Sequence, residues 1–349
     1  MTFRSFACGL ALAALSPVSP AQATKYAAEF LKIGVGARAL GMGEAYVAVA
    51  DDPSAAYWNP AGLVFVQTRE VQAMHAEQFG QIVNHDFLTY THPLEPGRDA
   101  APAVGVTLIR SSIDDIPVLD ASNGGGVLQD VGRDGVPGTN DDGEGDGILG
   151  PGEYVLVDEG AVQYRSNTDL AFLLTYARPL SSRVFLGVNA KLVRQKLIDN
   201  SNFGIGADLG LLWTPRTWLS VGLRVADVTT TQLSWDTGKR ETVAPSTRLG
   251  VAVMRDVPRL RGVVTLAADA NTTYEGPVGS QVEFGRVATD FYVGAEYWYK
   301  RALGLRLGDA RGQFAGGAGI RWARFGVDYA FVGHTDLDTT HRISAQVGF

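Results

Sequence analysis

The sequence predicts an all-β fold, a transmembrane antiparallel β-barrel of about 14 strands in the cell outer membrane. Three observations predict it: a cleavable export signal, a succession of strands joined by alternating short and long connections, and a last strand ending on an aromatic carboxy-terminus. The signal comes first. Arg4 supplies a positive n-region, Phe6 to Leu15 form a short apolar run, and Ala21-Gln22-Ala23 offers an A-x-A cleavage site, so the mature chain starts near Thr24. That run is too short to cross a bilayer as a helix. The single cysteine, Cys8, lies inside the signal, and too little apolar sequence precedes it for a lipoprotein box. The exported chain therefore uses neither disulfides nor thiol chemistry.

What remains, 24–349, is long enough for two ordinary domains or one large all-β domain. Hydrophobic residues make up 46% of the sequence, yet beyond the signal no apolar stretch is long enough for a membrane helix. A formal net charge of −7 argues against nucleic acid as a partner, because binding phosphates takes cations. The strands alternate. Leu170, Phe172, Leu174 and Tyr176 share one face; Val184, Leu186, Val188 and Ala190 share another, opposite Asn189 and Lys191. Phe325, Val327, Tyr329 and Phe331 alternate with Arg324, Gly326, Asp328 and Ala330. In a soluble sandwich the apolar face points inward, and in a membrane barrel it points to lipid. The alternation fits either case.

Connection lengths favour the barrel. Strands are read at 64–78, 82–92, 101–112, 165–177, 183–197, 202–213, 217–228, 245–255, 261–271, 289–299, 302–309, 312–321, 323–332 and 340–349. Connections after even-numbered strands are mostly tight, as at 178–182 and 214–216, while those after odd-numbered strands include the long ones at 113–164, 229–244 and 272–288. Short turns on one rim and long loops on the other belong to outer-membrane barrels, and an N-terminus inside puts the long loops outside. In the last strand Ile343, Ala345, Val347 and Phe349 form an outward row against Arg342, Ser344, Gln346 and Gly348. A terminal Phe closing such a strand resembles the recognition signal read by the outer-membrane assembly machinery.

Before the first strand, 30–63 is rich in small residues, which permit the close backbone packing that a segment inside a barrel needs. Gly34-x-Gly36-x-x-Ala39 superficially matches a dinucleotide fingerprint but lacks the preceding strand and βαβ unit. Gly36-Ala37-Arg38-Ala39-x-Gly41-Met42-Gly43-x-Ala45, followed by Ala50-Asp51-Asp52-x-x-Ala55-x-x-Trp58-Asn59-Pro60-Ala61-Gly62-Leu63, resembles the N-terminal signature of the PorV/PorQ family. That family belongs to the wider FadL-like outer-membrane proteins. Trp235, Glu241 and Pro245 before Arg248-Leu249-Gly250, then Gly294-x-Glu296-Tyr297 and Asp328-Tyr329-Ala330-Phe331, extend the similarity downstream. The resemblance implies a 14-stranded barrel with a hatch folded into its lumen. Here 1–23 would be the signal, 24–63 the hatch and 64–349 the barrel, with Gly41, Gly43, Asp51, Asp52, Trp58, Asn59 and Pro60 carrying the hatch motif.

The stretch 128–158 departs from the strand pattern as an acidic, extracellular insert. Asp142, Glu144 and Asp146 stand at positions 1, 3 and 5 of a calcium loop. Gly147 takes the turn, Ile148 offers its carbonyl, and Glu153 sits at position 12 for bidentate ligation. Calcium is therefore the one cofactor expected. The competing reading is a solvated acidic surface loop.

No catalytic arrangement is visible, and an enzyme is not expected. The histidines (His75, His85, His92, His334, His341) have no metal spacing, and no nucleophile or Walker motif appears. Asn189, Lys191, Asp208, Arg224, Asp269, Glu296, Arg306 and Asp328 are expected in the lumen, pairing across a filled interior or lining a path. The PorV/PorQ resemblance implies recognition of secreted cargo proteins in a type IX-like secretion and attachment system. The FadL resemblance implies instead passive transport of hydrophobic small molecules. Outer-membrane lipid and the assembly machinery are partners under both.

Overall fold

The computed structural model describes residues 27–78, 80, 82–119, 128–146, 150–157, 162–276, 279–333 and 339–349; the predicted signal lies outside them. Their strands close into an antiparallel barrel. Its wall comprises β1 (Glu70–Gln78), β2 (Val83–Pro93), β3 (Ala103–Leu119), β4 (Val162–Pro179), β5 (Val184–Leu197), β6 (Asn200–Arg216) and β7 (Leu219–Ala226). It continues through β8 (Ser246–Val257), β9 (Gly262–Thr273), β10 (Val287–Tyr299), β11 (Leu303–Ala310), β12 (Gln313–Trp322), β13 (Phe325–Val332) and β14 (Thr340–Gly348). Each strand pairs with the next, and β14 returns to β1 through registers such as Ala73 with Ala345, so the wall has no free edge. In lipid this closure is required, because an unpaired backbone group there has no water to bond.

The apolar rows point outward. Leu88, Leu108, Leu192 and Ile205 fall in one register row through β2, β3, β5 and β6 and are 40–59% exposed. Their neighbours on the other face, among them Phe87, Ile109 and Val193, are buried. A soluble sandwich would bury the first set. Tyr90, Tyr176, Trp213, Trp322, Phe325 and Phe349 are exposed toward the short-turn rim, and Phe203, Phe291 and Phe314 toward the other, forming the two aromatic girdles of a barrel in lipid.

Two strand expectations need correction. The first strand begins at Glu70 rather than 64, because Asn59 caps a 3-10 helix over Pro60–Phe65: its side chain accepts the Ala61 N–H, and Pro60 enters at the first position. The long connections also carry strands of their own. Leu128–Asp130 pairs with Val155–Val157, and Thr231–Trp235 with Arg240–Val243. The Thr231–Trp235 strand also pairs with the upper part of β6, above the short β7, and extends the wall there.

Candidate functional site: the filled lumen

From Ala27 to Val66 the chain lies inside the wall. Its elements are short: a 3-10 turn at Glu29–Lys32, α1 (Ala37–Gly41), α2 (Ala55–Trp58) and the 3-10 helix already described. Val35, Ala37, Ala39, Leu40, Met42, Ala45, Tyr46, Val47, Trp58 and Leu63 are fully buried. Segment backbone approaches the wall closely where the wall carries glycine. A Cβ on Gly308 would stand 2.3 Å from the Gly43 nitrogen, and one on Gly222 2.2 Å from the Val47 carbonyl oxygen. Gly43 itself has φ +58, and a Cβ there would meet the Asp309 backbone at 2.4 Å, so both sides of that contact require glycine.

Polar contacts fix the orientation of the segment. Arg38 donates to Glu296 of β10 through Nε and Nη2, both at 2.8 Å. It also donates to Asp51 at 2.5 Å and reaches Asp52 at 3.5 Å. Burial alone would lower the Arg38 pKa; the Asp51 and Glu296 carboxylates outweigh it and hold it well above the ordinary guanidinium value, so the charge is permanent. Glu296 in turn accepts Arg306 at 2.7 Å, Arg306 meets Asp328 at 2.8 Å, and Asp328 accepts Arg321 at 2.7 Å. A second anchor is Asp269, which accepts the Tyr46 and Val47 N–H groups at 2.9 and 3.0 Å. Arg248 pairs with the same carboxylate at 3.3 Å and stacks over Trp58 and Tyr292. Elsewhere Asn189 donates to the Ala56 carbonyl at 2.8 Å and Ser344 accepts the Ala37 N–H at 2.8 Å.

The hatch-motif residues come together here. Asp52 accepts the Ser54 N–H and hydroxyl and the Tyr46 hydroxyl at 2.9, 2.5 and 2.7 Å. Trp58 donates to the Val35 carbonyl at 2.8 Å. Asn59 bridges the segment's Val47 carbonyl at 2.8 Å and the wall's Leu211 carbonyl at 3.1 Å. Gly41 lies on Gly317, where a Cβ would be 3.3 Å from the wall Cα. The expected luminal polar residues face inward, and Lys191 pairs with Asp208 of the neighbouring strand at 3.0 Å and with Asp227, outside the expected set, at 2.5 Å.

One luminal feature escaped the sequence reading. Met74, Phe87, Ile109, Ala171, Val193, Gly204 and Leu233 are register partners in turn across β1 to β6 and the added 231–235 strand. All are buried. The rows beside this one are mostly polar, with His85, Ser111, Asp169, Gln195 and Asn202 beside Ala76 on one side, and Gln72, Thr89, Thr107 and Lys191 beside the buried Leu173 on the other. The row joins Leu40, Trp58 and Leu63 in one hydrophobic cluster. Its signal in the sequence was the apolar doublet, Phe87-Leu88, Leu108-Ile109 and Leu192-Val193, where both faces of a strand are apolar at once.

Of the calcium-loop residues, Ile148 lies outside the described residues. Asp142 pairs with Arg133 at 3.2 Å. Glu144 accepts the Gly138 and Asn140 N–H groups, and Glu153 accepts the Gly150 N–H at 2.5 Å. Asp141, outside the expected ligand set, accepts the Arg133 and Asp134 N–H groups at 2.6 and 2.8 Å. Among the described residues no three acidic or histidine side chains converge on one point.

No family model and no curated protein matches the chain. Solved structures do. The toluene transporter TbuX of Ralstonia pickettii aligns over 90% of this chain and 98% of its own, with a TM-score of 0.53 at 13% identity. The monoaromatic hydrocarbon channel CymD aligns over 91% and 98%, with a TM-score of 0.56 at 13% identity. A Pseudomonas aeruginosa FadL homologue aligns over 90% and 98%, with a TM-score of 0.51 at 11% identity. The fold is that of the FadL-like barrels. At these identities the similarity is one of fold, and the PorV/PorQ resemblance rests on the sequence motifs alone.

Proposed function

We propose that this chain is an outer-membrane channel for small hydrophobic molecules, gated by its N-terminal luminal segment. The apolar row from Met74 to Leu233 carries the reading. A barrel that only needed filling could pair polar residues throughout its interior, whereas this one keeps an apolar strip between mostly polar rows and covers it with a separate segment. Such a strip offers a hydrophobic solute a surface that water does not compete for. The fold shared with structures described as a toluene transporter and a monoaromatic hydrocarbon channel supports the same reading, and favours it over secretion and surface attachment.

The test is permeation into vesicles containing the refolded full chain. Toluene should enter faster than into empty vesicles, a polar solute of similar size should not, and Val193→Asn should remove most of the gain while leaving the barrel folded. Equal rates with and without protein would overturn the proposal. Selective capture of an exported cargo protein by the same vesicles, without permeation, would restore the secretion reading.

A further inference from the structure

The two rims carry opposite charge. The connections on the short-turn rim, at 94–102, 180–183, 217–218, 258–261, 300–302 and 323–324, hold seven Lys or Arg against two Asp or Glu. Those on the other rim, at 79–82, 120–161, 198–199, 227–245, 274–286, 311–312 and 333–339, hold five against 18. A net charge of −7 therefore hides a cationic ring. Of the seven cations, Arg98 pairs with Glu95. Arg183, Arg259, Arg261, Lys300, Arg301 and Arg324 are exposed and form no ion pair among the described residues.

These cations are interleaved with the aromatic girdle. Lys300 lies over Tyr299 at 5.2 Å and Arg324 over Phe325 at 5.3 Å, and just inside the ring Arg255 stacks on Trp218 at 4.0 Å. Girdle aromatics mark the depth of lipid headgroups, so the unpaired guanidinium and ammonium groups stand at the level of lipid phosphates. There each is positioned to donate to a phosphate oxygen.

We infer that the short-turn rim is a binding ring for anionic phospholipids, diester lipids of the phosphatidylglycerol type. The ring selects them from the adjoining leaflet and fixes the vertical position of the barrel. The inference needs a barrel in lipid but not transport, so it stands or falls apart from the proposed channel.

The probe is the full chain in nanodiscs of phosphatidylcholine with a minor share of phosphatidylglycerol, with the lipid retained by the protein measured by native mass spectrometry. Phosphatidylglycerol should be enriched by about fivefold for each contacting cation at low salt, and the enrichment should fall as salt screens it. R259Q/R261Q/R301Q/R324Q should lose it while keeping heat-modifiable migration; K239Q/R240Q, on the opposite rim, should not. An unenriched wild type, or an enrichment indifferent to salt, overturns the inference even if the quadruple variant fails to fold. So does a rim that binds a poly-glutamate peptide in detergent but shows no preference for phosphatidylglycerol, since its partner would then be an acidic polypeptide.

Discussion

Replacing Arg38 with Met should release the luminal segment while leaving the wall intact. Arg38 is the one cation the segment sends into the wall network, and its link to Glu296 is bidentate and buried, with side chains 10% and 1% exposed. Removing one partner of such a pair costs about 3–5 kcal/mol. Glu296 keeps Arg306 at 2.7 Å, and the Asp51 side chain is 39% exposed, so neither carboxylate is stranded and the low end applies. A loss of about 3 kcal/mol shifts the local opening equilibrium by roughly 100-fold. Hydrogen exchange followed by mass spectrometry reads this directly. Amides of 37–62 should exchange roughly 100-fold faster, those of β8 to β14 at the native rate, and heat-modifiable migration should persist. Arg38→Lys, which keeps the charge but loses the fork, should fall between. If exchange in 37–62 stays within a few-fold of native, the ionic link does not hold the segment. If the wall loosens with it, segment and wall are one cooperative unit.

Gly308→Ala places a Cβ 2.3 Å from the Gly43 nitrogen, so the segment cannot seat there. The variant should admit hydrophobic dyes that native cells exclude, whereas Gly333→Ala, with its nearest neighbour 3.6 Å away, should behave as native. For the acidic insert we propose that calcium gathers Asp142, Glu144, Asp146 and Glu153 away from Arg133 and backbone N–H groups. Millimolar calcium should then protect 128–157 of the full chain from protease, with heat released on titration; identical digestion and no heat would remove calcium from the account.

How much of this was legible follows from what constrains each residue. The strand count and the outward rows were readable because lipid on one face imposes strict alternation over eight or more residues. The expectation of a segment in the lumen rested on its small residues, and the close backbone contacts of Gly43 with Gly308 and of Val47 with Gly222 are consistent with it. Its anchors did not. Arg38 and Glu296 are 258 residues apart, and no local pattern joins them. The first strand was read too early because Leu63 to Val66 are apolar enough for a strand, while Asn59 and Pro60 impose a helical turn instead. At the acidic loop, spacing identified carboxylates but not their direction, and Asp141 took the backbone N–H groups through a geometry that spacing does not encode.

The contacts that hold the segment differ between the two sides of the lumen. On the β8–β14 side, the segment is held by Glu296, Asp269 and Ser344 through contacts that nothing hydrophobic can replace. On the β1–β6 side the row from Met74 to Leu233 shares the segment's apolar cluster, beside polar contacts from Asn189 to the Ala56 carbonyl and from Asn59 to the Leu211 carbonyl. A hydrophobic solute can supply that row's burial by taking the segment's place. We therefore propose that opening on the apolar side costs least when the solute is present, with the ionic side as the hinge. A disulfide tests this. The one cysteine of the sequence, Cys8, lies in the predicted signal, α1 packs against β11 to β14, and the Ala37 N–H reaches Ser344 Oγ at 2.8 Å. Ala37→Cys with Ser344→Cys should therefore bridge the hinge side alone. Toluene entry that persists in the oxidised protein is the expected result. Entry that stops on oxidation and returns on reduction would place the opening on the ionic side and make the Arg38 network the latch.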